Sequence, residues 1–216
     1  MTTTRRGRGR PARTEAPKRD DILLAALSAF ARAGYEGTNL RQIADDAGVD
    51  VALVAHHFGS KLDLWKATVD HLAERVLAAT RDTAAAGNWT DLRERVRSAL
   101  CRHIELNSAM PELAMFVAQE VLPATERSDY VYEHLVRPHH DLMLPIIREA
   151  ISAGVIREQD PELFFFLFVT SVSMTIAIQP LMARFTETAA SRDALRAALQ
   201  AAVTANVLGS QPAALD

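Results

Sequence analysis

Apolar residues recur along this chain at spacings of three and four, the signature of helices with one buried side. Leu40, Ile43, Ala44 and Ala47 share one face, which turns Arg41, Gln42, Asp45 and Asp46 outward. Gly48 follows where a sharp turn needs positive φ. Asp50 is placed to cap a second short helix, with Val54 and Phe58 on its inner side. Ser60, with Asp63 three residues on, opens a third in the capping-box arrangement. Upstream, Ile22, Ala26, Ala29, Phe30 and Ala33 stripe a helix from about Lys18 to Gly34. Downstream, the helix begun at Lys61 runs through Leu64, Trp65, Val69, Leu72, Val76 and Leu77 toward Ala85 and breaks at Gly87-Asn88. Further helices are expected over 91–107, from Pro111 to Leu122, over 125–153 with kinks or a split at Pro138 and Pro145, from Pro161 to about Arg184, and over 191–208. No strand alternation or internal repeat interrupts this pattern. The fold expected is all-α with about nine helices.

Two short helices joined by a glycine turn form a helix-turn-helix unit, whose second helix enters the DNA major groove. The outward residues of such a unit are Thr38, Asn39, Arg41 and Gln42 on its first helix and Val51, Ala52, Leu53, Ala55, His56 and His57 on its second. Lys61 follows. The charge distribution adds to this picture. The net charge is −3, but residues 1–19 carry seven basic side chains against one acid, leaving 17 basic and 26 acidic residues elsewhere. A basic arm on an acidic body fits a polyanion touched at one end. Residues 1–17 lack apolar periodicity and are expected to be disordered alone. Within them Arg8-Gly9-Arg10-Pro11 resembles an AT-hook core, an extended element that lays arginines in the A·T minor groove.

Residues 18–77 resemble the DNA-binding domain of TetR-family transcriptional regulators. The resemblance rests on Ala29-Phe30, Gly34-Tyr35, Thr38, Ile43-Ala44, Ala47-Gly48-Val49, His56-His57-Phe58, Ser60-Lys61 and Leu64. It implies that Thr38, His57 and Lys61 contact phosphates and that Arg41 reaches a base or phosphate. Ala55 stands where the family usually has tyrosine. Val51 and Leu53 stand where it often has polar residues. Such side chains cannot make bidentate hydrogen bonds to a purine but can pack on thymine methyl groups. The expectation is a reading head that uses methyl contacts and shape, with Arg41 as its polar reader and Arg8 and Arg10 adding phosphate affinity.

The resemblance divides the chain into a basic arm (1–17), a homeodomain-like three-helix head (18–64) and a helical effector-binding and dimerisation body (65–210). His103, Met110, Met115, Phe116, His134, Met143, Phe165 and Met174 are the pocket candidates. Methionine-rich walls adapt to varied ligands, although apolar residues at helical spacing are more often core. Phe164, Phe165, Phe166 and Phe168 surround one helix, so that helix must be covered on all sides. Packing against a second copy would do so. Phe164, Phe168, Ser171, Ala177, Leu195 and Leu199 are the expected dimer contacts. The expected partners are an operator in double-stranded DNA, a small-molecule effector and a second copy of the chain. No metal or other cofactor is expected, because no His-x3-His spacing occurs. The stretch Leu163–Ile178 is too short and too interrupted to span a membrane. The lone Cys101 fits a reducing compartment, the cytoplasm. An architectural A·T-binding protein without effector, or a helical enzyme, are the rival readings. No nucleophile or phosphate-loop motif favours the enzyme.

Overall fold

The computed structural model describes residues 19–84 and 89–208. The basic arm with Arg8 and Arg10, the Gly87-Asn88 break and the C-terminal tail lie outside them. The described residues form eleven α-helical segments and no strand. The head comprises α1 (Arg19–Ala33), α2 (Leu40–Ala47) and α3 (Val51–Phe58), followed by α4 (Lys61–Ala84). Asn39 caps α2 by accepting from the Gln42 amide at 3.0 Å, and Asp50 caps α3 by accepting from the Ala52 amide at 2.7 Å. Ser60 and Asp63 exchange bonds as a capping box at the start of α4. Gly48, at φ 67°, closes α2 in the left-handed region that a side chain rarely adopts.

The body holds α5 (Leu92–Ala109), α6 (Glu112–Val121), α7 (Glu126–Val131), α8 (Arg137–Ser152), α9 (Pro161–Ala177), α10 (Gln179–Met182) and α11 (Arg192–Leu208). Prolines shape two of the expected helices. The segment from Thr125 is divided just ahead of Pro138 by a π-turn at Tyr132–Val136, which joins α7 to α8. Pro138 offers no amide to the His134 carbonyl and its ring crowds that carbonyl. The wider turn relieves this, and the Arg137 amide donates to the Tyr132 carbonyl five residues back. Pro145 lies within α8. The helix expected to reach Arg184 stops at Ala177, because Pro180 would clash with the carbonyl of Ile176, and a single turn, α10, follows.

Two apolar cores result. The first joins α1–α4 to Met110, Leu113, Phe116, Val131 and Leu135, so packing runs on without a break from the head into α6. Trp65 and Phe116 are fully enclosed there, with ring centroids 6.2 Å apart. The second core is built by α5, α8, α9 and α11. Among the described residues no helix is long and apolar enough to cross a membrane.

Candidate functional site

The outer surface of the head is weakly polar. Val51, Ala52, Ala55, His56 and His57 are exposed along α3, while Val54 and Phe58 anchor it from beneath. Leu53 is half-buried rather than fully outward, since its position flanks the buried stripe. Arg41 and Asn39 are exposed and Gln42 is half-covered. No hydrogen bond or ion pair within the described residues holds the Arg41 guanidinium. Nearby Arg32 is taken up by Asp46 at 3.1 Å.

Two residues expected on phosphate turn inward instead. Thr38 is 2% exposed, and its Oγ1 lies 2.8 Å from the Gly34 carbonyl and 3.2 Å from that of Ala29. Its hydroxyl fastens the α1–α2 corner. Lys61 donates from Nζ to the carbonyls of Tyr35 at 2.9 Å and Thr38 at 3.1 Å, and sits 4.2 Å from the Tyr35 ring centroid. A loop carbonyl left without a partner is costly; Lys61 joins the Thr38 amide on the Tyr35 carbonyl and also serves that of Thr38. His57 keeps its exposed position.

The corner is also gripped from α6 and α7. Gln119 Nε2 donates to the Ala31 carbonyl at 2.7 Å. Glu120 is 3% exposed; its carboxylate accepts from Trp65 Nε1 at 3.3 Å and from Arg127 Nε at 3.0 Å. Arg127 covers the Tyr35 ring at 4.1 Å. These residues were missed in the sequence, because a glutamate in a short helix reads as a solvated face.

On its opposite side α6 borders a cavity of about 590 Å³, walled also by α4, α5, the π-turn, α8 and α9. Such a volume is ordinary for a small-molecule site. His103, Phe165 and Met174 line it. Met110 and Phe116 do not, because their side chains point into the first core. Met143 belongs to the second core and Met115 is exposed. His134 lies outside, stacked on Tyr130 at 3.8 Å and paired with Asp70 at 3.2 Å. Burial, followed by the bond to Asp70, pushes the Tyr130 hydroxyl up to about 12. The cavity instead gains His139, which packs flat against His103, with centroids 5.8 Å apart and planes 8° apart. Burial lowers His103 to about 4. Burial, reinforced by the neighbouring His103 and His140, lowers His139 to about 3. Both rings are therefore neutral near pH 7. Among the described residues no three His, Cys, Asp or Glu side chains converge as metal ligands.

The expected dimer contacts divide in two. Phe164, Phe168 and Leu195 are buried within the chain, and Leu199 packs against the second core. They already have intramolecular partners, so they are not a free interface. Ser171 is exposed and Ala177 half-buried. The outer face of α9 also carries Leu163 and Leu167, each 57% exposed, with Phe166 and Met174 beside them.

The class is thus an all-helical protein with a helix-turn-helix head sharing a core with a cavity-bearing body. Residues 22–76 match the family model described as bacterial regulatory proteins, tetR family. The match spans the helix-turn-helix head and most of α4. The chain is 38% identical over 109 residues to the HTH-type transcriptional activator FasR of Mycolicibacterium smegmatis, covering 46% of this chain and 48% of that one. The chain spans about half the length of the curated relatives it matches. A putative fatty acid metabolism regulator of Clostridium perfringens superposes with TM-score 0.70 at 22% identity, covering 89% of this chain and 99% of that one. The regulator FadR of Bacillus subtilis in complex with stearoyl-CoA gives 0.63 at 18%, covering 90% and 100%. These two share the fold.

Proposed function

We propose that this DNA-binding regulator acts as a homodimeric repressor that leaves a palindromic operator when a small, largely apolar ligand fills the cavity. The observation that carries the reading is the double role of α6: Phe116 and Glu120 hold the head, while Val117 and Ala118 of the same helix border the cavity. A ligand that displaces α6 must shift α1 and α4 with it. Two recognition helices need a separation of about 34–36 Å to enter successive major grooves. Changing that separation weakens operator binding, and linkage requires the operator to weaken ligand binding by the same factor.

Val51, Ala52, Ala55, His56 and the half-covered Leu53 then meet base edges through apolar contact, with Arg41 and Gln42 as polar readers and Asn39 and His57 near the backbone. The basic arm, with Arg8 and Arg10, adds salt-dependent affinity. The dimer forms through the outer face of α9, where Leu163, Leu167, Ser171 and Met174 lie, together with α11. The division into arm, head and body, a cytoplasmic location and a binding rather than catalytic task complete the proposal. Repression is proposed although FasR is named an activator. The stearoyl chain held by FadR is compatible with the apolar lining here.

Selection of bound fragments from random DNA tests this. A palindrome bound by two protomers supports it. A featureless A·T-rich product overturns it in favour of an architectural role.

A further inference from the structure

We infer that the cavity seats an uncharged amphipathic molecule, an apolar body ending in a hydroxyl or carbonyl head, with that head hydrogen-bonded to the imidazole of His139. The inference deepens the ligand-controlled reading above and rests on it.

The cavity wall is overwhelmingly aliphatic and aromatic, and its polar groups are few. The enclosed ones other than His139 are already engaged, while Tyr132 and Asp129 lie at the exposed rim. His103 hydrogen-bonds to the backbone of Val169, and its Nε2 lies 3.2 Å from Asn107 Nδ2 and 3.3 Å from Ser173 Oγ. The Asn107 amide also donates to the His103 carbonyl at 2.9 Å. Thr170 donates to the Phe166 carbonyl at 2.6 Å, and Ser128 to that of Thr125 at 2.6 Å. His139 differs. It is 8% exposed, lines the cavity and has no hydrogen-bond partner among the described residues. Its orientation is nonetheless fixed, by His103 on its flat face and by Phe165 at 5.5 Å and 61°. Its ring nitrogens are not sealed off as His71 Nε2 and Trp89 Nε1 are, and a polar atom that lines a cavity without a protein partner is met there by water or a ligand atom.

The chemistry of the head follows from charge. Enclosure keeps the His139 ring neutral, so it offers one N–H donor and one nitrogen acceptor. A hydroxyl answers both, and a carbonyl answers the donor. A carboxylate or phosphate would need a cation, and no lysine or arginine lines the cavity among the described residues. The one charged lining residue is Asp129, which is exposed and of the wrong sign. His140, next in sequence, is turned to Glu162 and Asp141. An alkylammonium head would find no buried carboxylate beside His139.

Calorimetric titration of the full chain at pH 7.5 with 1-decanol, decanoate and decylammonium tests this. The alcohol is expected to saturate one site per chain, with both ions weaker by roughly tenfold or more. His139→Leu keeps an apolar wall of similar size and should weaken the alcohol roughly tenfold. His139→Gln, which retains a donor and an acceptor, should recover part of that loss. The head-group series on the unaltered chain keeps the test valid if a variant misfolds. Decanoate binding as tightly as decanol overturns the inference, as does unchanged decanol binding by folded His139→Leu. Neither result touches the operator-release reading, which is read separately by DNA titration. Absence of saturable binding by all three probes overturns the inference, and an operator that responds to no small molecule overturns the reading beneath it.

Discussion

The two sides of α6 are packed in opposite ways. Toward the head, Phe116 lies in a chain of aromatic rings with Phe30, Tyr35 and Trp65, and Glu120 and Gln119 add polar clamps. Toward the body, Ala114 and Ala118 face open space, and Val117 stands between the cavity and the edge of the first core. A helix tightly seated on one side and loosely on the other transmits a push instead of absorbing it. Close-packed cores move as units, whereas a cavity can be filled at little cost.

The strongest way to break this contrast is to truncate one residue on each side. Phe116→Ala should cost about 3–5 kcal/mol, whereas Val117→Ala, already at a void, should cost under about 1.5 kcal/mol. Urea denaturation of both variants checks the difference, and equal losses would remove it. Glu120→Ala, which strands Trp65 Nε1 and the half-buried Arg127, should cost about 2–3 kcal/mol. Glu120→Gln should recover part of this, because its amide oxygen still accepts from Trp65.

Acid should act through the cavity side. His103 and His139 have folded pKa values depressed below the unfolded 6.5. Below pH 6.5 the unfolded chain takes up protons that the folded chain refuses, so stability is full above that pH and falls toward pH 4. About 1–2 kcal/mol per ring should be lost between pH 6.5 and 5. His139→Leu should flatten this slope in a pH series of thermal melts. The smallest stability effect is expected at Arg41→Ala, within about 0.5 kcal/mol. That variant should nevertheless lose preference at an operator position by about 1–3 kcal/mol, read by competition binding with variant operators.

The head was legible in the sequence because its signals are local. Gly48, Asp50 and the Ser60–Asp63 pair act within one turn, and each does what its position requires. The inward turn of Thr38 and Lys61 was not legible, since it depends on carbonyls of the α1–α2 corner that only folding brings near. The body was legible as helices but not as a site. Phe116 and Met110 share the helical spacing of cavity residues, and which face meets the head is decided by packing between distant segments. Nothing local in the sequence singles out His139, which only folding sets between His103 of α5 and Phe165 of α9. The π-turn also escaped, because Pro138 announces a disturbance without saying which bond will stretch.

The measurement closest to the central claim is reciprocal binding. The affinity of the dimer for its selected palindrome is measured with and without saturating 1-decanol, and that of 1-decanol with and without saturating palindrome. The account expects both affinities to fall by one common factor, between about fivefold and 150-fold, and expects Phe116→Leu, by loosening α6 from the head, to reduce that factor. Operator affinity unchanged by saturating decanol, with decanol bound in the cavity, would contradict it.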